Sequence, residues 1–384
     1  AVQLKIGINL SARLPMDVKP SASVTAAVPA RGGLPERFRA SRPFLREAKA
    51  GHRMYHGSPF VMVLSLVKLV NSRRTSCRAT RDINGMSDLV ERGYDGFLLD
   101  QYGVLHDGRE LLPDVKECLD QLQRRNIPMA IVSNSPCESP KAALRLERIG
   151  LMNEYFQSLV TSGDQAKRYL EKLISEAAPV RLSCLFISHA DHVERGTWSP
   201  EELRSMGLEL VASVDDCDFV LANGVQVCYK GTLSEVQSDY ESDASDWSVF
   251  GTVLQAAAKA QRPLIIVNPD CVVHRNNGVT VNCPGQFAKK YSALGGEHLY
   301  IFGKPNPEIF REASRHLELS GARRICHIGD SLCHDVSGAA DAGFASALVS
   351  SGIHAPELQS MSLSDLCRRK GVPYPTFAMS SFRW

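Results

Sequence analysis

From about residue 85 onward, short apolar runs alternate with segments of helical periodicity, and this alternation constrains the fold more than any other feature. Residues 96–99, 128–132 and 345–349 are predominantly apolar runs of strand length. Between the first two, residues 113–125 carry apolar side chains three and four residues apart, which is the spacing of one helical face. Strand, helix and strand in this order are typical of βαβ units. We therefore predict an α/β fold built on a parallel sheet.

The predicted strands share a second property, since polar residues come directly after them. Asp100 ends the first strand, Ser133 and Asn134 end the second, and Asp330 follows a later run at 324–328. In an open parallel sheet the carboxyl ends of the strands line the ligand crevice. We therefore expect these side chains to converge on one site.

A long stretch between the two halves of this pattern has strand and helix signals of its own. Its apolar runs are residues 183–188, 219–223 and 263–268. This arrangement predicts a second α/β domain inserted into the first. We expect a three-layer core from residues 85–178 and 301–384, an inserted domain at residues 179–300, and a leader at residues 1–84.

The charge distribution sets the leader apart from the rest. Residues 1–81 contain 15 Lys and Arg but only three acidic residues, whereas the remainder holds 29 basic and 39 acidic residues. A basic, acid-poor segment rich in Ser and Ala resembles an organelle transit peptide, and its composition supports neither a core nor a sustained period. We expect it to be disordered and to direct import into a plastid or mitochondrion. The alternative is a basic tail on a cytoplasmic protein.

Two classes of partner are not expected. The longest apolar run, residues 60–70, is interrupted by Ser65 and Lys68 and is shorter than the ~20 residues that span a bilayer. The sequence has no basic stripe interleaved with aromatic residues, which a nucleic-acid surface would require. We therefore expect neither a membrane nor a nucleic acid as partner, and we leave a homo-oligomer open.

Four short segments carry the residue types that phosphoryl transfer needs. They are residues 99–105, 132–135, 303–305 and 329–335. Asp100 offers a carboxylate nucleophile at a strand end, Ser133 a hydroxyl for phosphate oxygens, and Lys304 a positive charge. Each segment is weak evidence alone, but their order and strand contexts make the set specific.

Paired acids in these segments indicate a magnesium site, because Mg²⁺ prefers oxygen ligands and is usually held by one or two carboxylates. We expect Asp100 and Asp330 to be direct ligands. Asp335 would bind through water or position Lys304. The simpler interpretations are a helix cap for Asp330 or Asp335, a surface charge for Lys304, and a backbone-bonded hydroxyl for Ser133.

Together these segments resemble the haloacid dehalogenase (HAD) superfamily, class IIA, the NagD-like group with a C2-type cap. The resemblance extends from about residue 85 to the C-terminus and includes the 171-residue separation of Ser133 from Lys304. It is nearest to an uncharacterised plant and bacterial subfamily whose first motif reads like residues 103–108. It implies a Rossmann-like core, a C2-type cap, and Mg²⁺-dependent hydrolysis of small phosphorylated metabolites through an aspartyl-phosphate.

One position departs from that family. Its phosphatases usually carry a second Asp two residues after the nucleophile, as general acid and base, whereas this chain has Tyr102. A tyrosine of pKa near ~10 is a poor base at neutral pH, and loss of a general acid or base costs ~10²–10⁴-fold. Slow hydrolysis is expected. The Asp-x-Tyr order of residues 100–102 also resembles the first motif of the 2-haloacid dehalogenases, so carbon–halogen hydrolysis is one alternative function. A catalytically weak phosphometabolite-binding or regulatory protein is another.

Several residues are weaker candidates for binding the substrate. Asn134 would contact it together with Ser133 and Lys304. Asn268 and Asp270 belong to the Asn-Pro-Asp sequence of the cap; they would face the crevice when the cap closes, or simply form a turn. His106 and Asp107 either border the phosphate entrance or form an ordinary turn, which we favour. Because a cap covers the crevice, we expect a small phosphorylated metabolite rather than a phosphoprotein.

Overall fold

The computed structural model describes residues 80–274 and 279–384. Its strands, in chain order, are β1 Arg81–Asp82, β2 Gly96–Leu99, β3 Met129–Ser133, β4 Ser158–Thr161, β5 Ser183–Ile187, β6 Glu209–Leu210, β7 Phe219–Ala222, β8 Val227–Cys228, β9 Val236–Gln237, β10 Leu264–Ile266, β11 Val272–His274, β12 Thr280–Asn282, β13 Leu299–Ile301, β14 Ile325–Gly329, β15 Ala345–Val349 and β16 Phe377–Met379. Its helices are α1 Met86–Glu91, α2 Val115–Arg124, α3 Ser139–Arg148, α4 Ser162–Ala177, α5 His192–Arg195, α6 Pro200–Ser205, α7 Ser248–Lys259, α8 Gly285–Ala293, α9 Pro307–Leu319, α10 Ser337–Ala342, α11 Ala355–Leu358 and α12 Leu363–Lys370, with a 3₁₀ turn at Asn153–Tyr155 and a π-helical turn at Leu332–Val336.

A seven-stranded sheet forms the core, in the order β1-β16-β15-β14-β2-β3-β4. All of its strand pairs are parallel, and Leu99 lies opposite Ile328 at the centre. Helices α1 and α2 and helices α9 and α10 contribute to separate hydrophobic clusters, each shared with sheet residues. This confirms the predicted α/β fold with a parallel sheet.

A second parallel sheet lies between the two parts of the core, in the order β13-β10-β7-β5-β6. Helices α7 and α8 pack in one of its hydrophobic clusters, and α4 and α6 pack in the other. Two antiparallel strand pairs, β8–β9 and β11–β12, form separate two-stranded sheets in the same domain. The inserted domain is thus an α/β unit with its own core.

Two predicted boundaries differ from the structure. Helix α4 falls in the range 85–178 that was expected in the core, but Leu170 and Leu173 pack with Phe186 and Phe219 of the inserted domain. The insertion therefore begins before α4. Arg81–Asp82, expected in the leader, pair with β16 because their backbone completes the edge of the core sheet.

Residues 1–79 lie outside the described residues, and with them most of the predicted leader. Among the residues that the structure does describe, helices that combine the length and the apolar character needed to cross a bilayer are absent.

Candidate active site

The central strands of the core bring the predicted residues to one edge of the sheet. Asp100 follows β2, Ser133 ends β3 and Asp330 follows β14, and β2 pairs with both other strands. The Asp100 backbone N–H donates to the Ile328 carbonyl at 2.8 Å, which holds the two strand ends together. Lys304, from the loop after the inserted domain, reaches the same point. Four residues from distant parts of the chain therefore share one buried site.

Lys304 lies at the centre of this site. Its Nζ is 2.6 Å from Asp100 Oδ1 and 2.8 Å from Asp335 Oδ1, and its side chain is 3% exposed. Burial alone would lower the pKa of Lys304, but the two carboxylates raise it above its ordinary value. Lys304 is therefore a buried ammonium group, and the interpretation of it as a surface charge is wrong.

Asn134 fixes the backbone of Lys304. The Lys304 N–H donates to Asn134 Oδ1 at 2.6 Å, and Asn134 Nδ2 donates to the Lys304 carbonyl at 3.3 Å. Nδ2 also donates to Asp270 Oδ1 at 2.8 Å. The side chain predicted to bind substrate thus holds Lys304 and Asp270 of the inserted domain in place.

Three buried carboxylates form a candidate metal site. Asp100, Asp330 and Asp335 each offer an oxygen within 4.8 Å of the others. Burial and the charge of Asp335 outweigh the pull of Lys304 and raise the pKa of Asp100 to about 7, while burial and Asp100 raise the pKa of Asp330. One ammonium does not neutralise three carboxylates. The donor set therefore fits a divalent cation, since such ions take oxygen ligands.

Two glycines enclose Asp330. Gly103 has φ +80°, and a Cβ there would lie 2.3 Å from Asp330 Oδ2; a Cβ on Gly352 would lie 2.2 Å from the Asp330 Cβ. The Ile353 N–H donates to Asp330 Oδ2 at 2.9 Å. A side chain at either glycine would clash with Asp330, so the backbone at residues 103 and 352 packs directly against this carboxylate. This close packing fixes the position of Asp330 at the strand end.

Asp335 uses both of its oxygens within the protein. Oδ1 accepts from Lys304 Nζ and lies 2.9 Å from His327 Nε2, and Oδ2 accepts from the Ser331 N–H at 2.9 Å. Of its two predicted roles, this arrangement matches the positioning of Lys304. Ser331, whose Oγ accepts from the His334 N–H at 3.2 Å, caps the following turn instead.

Ser133 and Tyr102 are the two remaining residues of the predicted catalytic set. Ser133 is buried, and its Oγ accepts from Gln101 Nε2 and, at 3.0 Å, from the Ser135 N–H. The ring of Tyr102 meets that of His106 edge to face, with centroids 5.9 Å apart. The proton-transfer position of the family thus holds a phenol packed against an imidazole.

The inserted domain reaches the site through its Asn-Pro-Asp sequence. Asn268 Oδ1 accepts from the Asp270 N–H at 2.9 Å, which agrees with the interpretation of this sequence as a turn. Asp270 Oδ1 contacts Asn134 and lies 3.0 Å from His334 Nδ1. Asp270 therefore connects cap and core, whereas Asn268 shapes the turn that presents it.

Three residues of this network were not predicted from the sequence. Gln101 contacts Ser133, His327 contacts Asp335, and His334 contacts Asp270. His327 is a polar residue inside an otherwise apolar strand, which is the signal that marks it. Gln101 and His334 lie inside the motif segments 99–105 and 329–335, but only the fold shows which way their side chains point.

Comparison with known proteins agrees with this geometry. Residues 97–190 match the haloacid dehalogenase-like hydrolase family, and residues 301–365 match a second HAD-hydrolase-like family. The matched ranges contain Asp100 and Ser133 in one case and Lys304, Asp330 and Asp335 in the other. Fold and site thus define an α/β hydrolase with an acidic, lysine-bearing centre. The chain thus contains HAD-like hydrolase domains over these two ranges, as its motifs indicated.

Individual relatives are distant. Chronophin from Mus musculus is 25% identical over 283 residues, which cover 73% of this chain and 86% of that protein. A HAD-like hydrolase from Brucella suis 1330 is 24% identical with a TM-score of 0.60, covering 78% of this chain and 99% of that one. A possible sugar phosphatase from Cytophaga hutchinsonii is 19% identical with a TM-score of 0.56, covering 78% and 98%. These two structures share the fold.

Proposed function

We propose that this hydrolase cleaves phosphate monoesters of small metabolites, with Asp100 as nucleophile and Mg²⁺ as cofactor. The observation that carries the proposal is the contact of 2.6 Å between Lys304 Nζ and Asp100 Oδ1, inside a group of three buried carboxylates. A buried carboxylate beside an ammonium and a cation site is suited to attack on a dianionic phosphate. The similarity to chronophin and to a possible sugar phosphatase is consistent with it.

In this mechanism an Asp100 carboxylate oxygen attacks phosphorus. The new bond joins Asp100 to phosphorus, the ester bond breaks, and the leaving oxygen departs as an alcohol after it takes a proton. Water then attacks the aspartyl-phosphate, releasing inorganic phosphate and restoring Asp100. Lys304 and the Ser133 hydroxyl stabilise the phosphoryl oxygens. Bound Mg²⁺, held by Asp100 and Asp330, with Asp335 binding through water or positioning Lys304, would neutralise charge on phosphate and nucleophile.

Proton transfer distinguishes this chain from its family. Tyr102 stands where an Asp would donate and then recover the proton, and a phenol can donate but is a weak base near neutral pH. Turnover is therefore slow, or depends on leaving groups that need little protonation.

A panel of metabolite phosphates assayed with and without Mg²⁺, with a 2-haloacid as a further substrate, tests this proposal. We expect phosphate release that requires Mg²⁺ and is abolished by EDTA. Halide release without metal would instead support the dehalogenase interpretation, which Tyr102 favours. Binding of phosphometabolites without release of either product would identify a regulatory protein.

We also propose that residues 1–84 carry an import signal for a plastid or mitochondrion, on the basis of their excess of basic residues. A fluorescent reporter fused behind residues 1–84 tests this, and a diffuse cytosolic signal would contradict it.

A further inference from the structure

A crevice of about 340 Å³, lined in part by Gln101 and Tyr102, opens beside Asp100 and extends beyond the residues of the proposed phosphoryl-transfer chemistry. Gln101 and Tyr102 follow Asp100 directly, and Ser135 lies two residues after Ser133, so the crevice begins at the phosphoryl site. Gln101, which lines the crevice, donates through Nε2 to Ser133 Oγ, so the crevice adjoins the residue proposed to hold the phosphate. The lining residues are Gln101, Tyr102, His106, Gly108, Ser135, Ala142, Arg145, Leu146, Arg148 and Ile149.

The lining is positively charged and contains no acidic side chain. Helix α3 presents Arg145 and Arg148 three residues apart, which places them on neighbouring positions of one face. Arg148 forms neither a hydrogen bond nor an ion pair within residues 80–274 and 279–384, so its whole guanidinium is available. Arg145 uses Nη1 to donate to the Arg195 carbonyl at 2.8 Å and to Cys137 Sγ at 3.2 Å.

His106 adds a buried donor to the same lining. The residue is 7% exposed, and its Nδ1 accepts from the Gly108 N–H at 2.9 Å, so its proton lies on Nε2. That Nε2 is buried and has no hydrogen-bond partner among the described residues. An unpartnered buried N–H is costly to leave unsatisfied, and His106 belongs to the lining of the crevice.

We propose that this crevice binds a second anionic group, a carboxylate or a phosphate, on the leaving-group side of the substrate. Arg148 and Arg145 supply charge, His106 donates a hydrogen bond, and Leu146 and Ile149 contact the carbon skeleton. Hydrogen bonds between guanidinium and carboxylate or phosphate are among the strongest that proteins use for recognition. The inference rests on the proposed phosphatase function and narrows its substrates to metabolites with two anionic groups.

Matched pairs of substrates test the inference on the full chain with Mg²⁺. One arm compares 3-phosphoglycerate with glycerol 3-phosphate, and the other compares fructose 1,6-bisphosphate with fructose 6-phosphate. We expect kcat/KM to be at least tenfold higher for the doubly anionic member of one pair, and the pair that responds tells carboxylate from phosphate. Arg148→Gln should lower that ratio about tenfold, mainly through KM, and Arg148→Glu should lower it further. Arg124→Gln, which removes an exposed helical arginine from α2, should leave the ratio unchanged.

The outcomes separate this inference from the proposed function. Equal kcat/KM values within both pairs, or an equal effect of Arg148→Gln on both members of a pair, would contradict anion binding in the crevice. Neither result would contradict the proposed phosphatase activity. If no ester is hydrolysed, the phosphatase proposal fails. The affinity for 3-phosphoglycerate then tests whether the crevice binds an anionic group. In that case an unchanged Kd for 3-phosphoglycerate in Arg148→Gln would overturn it, whereas a Kd about tenfold weaker would support it.

Discussion

The core sheet and the inserted sheet are built alike but end differently. Both are parallel, both have helices on each face, and both present polar residues after their strands. In the core they include the acids Asp100 and Asp330, whereas after β5 and β7 of the inserted domain they are the neutral Ser188 and Asn223, both fully buried. The same architecture thus gathers a cluster of acids at the strand ends of the core and neutral residues at the ends of these two strands of the inserted domain.

Charge compensation shows the contrast most clearly. In the core, three acids share one lysine, and the excess of negative charge fits a divalent cation. In the inserted domain, Arg195 pairs with Glu241 through both guanidinium Nη atoms, at 2.5 and 3.0 Å, and with Asp191 through Nε at 2.7 Å. Both carboxylates of that cluster thus contact the cation directly, whereas in the core Lys304 contacts Asp100 and Asp335 and leaves Asp330 without an ion pair among the described residues.

The largest loss of activity is expected from Asp100→Asn, because in the proposed mechanism the bond to phosphorus is formed by this residue of the core. The amide cannot attack phosphorus, and we expect kcat with Mg²⁺ to fall by at least ~10³-fold. Steady-state phosphate release measures this. The matched control is Asp341→Asn, which makes the same change on an exposed residue of α10 and should leave kcat as in the wild type. Undiminished turnover in Asp100→Asn would show that Asp100 of the core is not the nucleophile.

Lys304→Met tests how far the positive charge of Lys304 compensates the buried carboxylates of the core. We expect kcat to fall ~10²–10³-fold because the charge opposite the phosphoryl oxygens is lost. Stability should also fall, by ~3–5 kcal/mol, because Asp100 and Asp335 lose their buried partner. Kinetics and urea unfolding measure the two effects. Lys230→Met removes a buried lysine of the inserted domain, whose nearest ion pair, with Glu235, is 4.0 Å long, and should change kcat less than ~twofold. An equal loss of kcat in Lys304→Met and Lys230→Met would contradict the proposed difference between the core and the inserted domain.

Tyr102→Asp should raise turnover, because it restores a carboxylate at the proton-transfer position. The gain is expected to reach ~10²-fold for substrates with poor leaving groups, and to be smaller for 4-nitrophenyl phosphate, whose leaving group needs little protonation. Comparing the two kinds of ester separates general acid catalysis from altered binding. Tyr102→Phe is the control, since it removes the hydroxyl without adding a base. A gain of the same size on both esters would argue against the protonation account.

Each domain also contains a buried neutral histidine, and both should make the protein sensitive to acid. Burial lowers the pKa of His106 in the core and of His189 in the inserted domain to about 4, against ~6.5 in the unfolded chain. Between these values the unfolded chain binds more protons, so stability falls as the pH drops from 7.5 toward 4. Each group contributes on the order of 1–3 kcal/mol. Urea unfolding at pH 7.5 and 5 measures the loss, which His106→Phe should reduce; an unchanged pH dependence would rule out His106.

How much the sequence predicts depends on where the information lies. The strands β2 and β15 match the predicted ranges because apolar runs buried on both faces identify central parallel strands. The strands β4, β1 and β16 were not predicted. They lie at or near the edges of the sheet, and two of them have only two or three residues, so pairing rather than local pattern defines them.

The site divides in the same way. The convergence of Asp100, Ser133 and Asp330 follows from the direction of parallel strands, and a sequence carries that information. The grip of Asn134 on Lys304 joins residues 170 positions apart through side-chain rotamers, which no local pattern specifies. The same holds for His327, which becomes a partner of Asp335 only once the strand is buried.

The edge strand β1 overlaps the C-terminal end of the segment proposed to carry an import signal. Arg81 and Asp82 pair with Phe377 and Ala378, the Met86 N–H donates to the Arg383 carbonyl at 2.7 Å, and Arg383 Nε donates to the Asn84 carbonyl at 2.8 Å. If residues 1–84 carry the proposed import signal, a peptidase that removes it would have to cut upstream of Arg81 to keep β1 in the sheet. A cut between residues 81 and 86 would strip the last strand from the sheet and leave the hydrogen-bonding edge of β16 open to another chain.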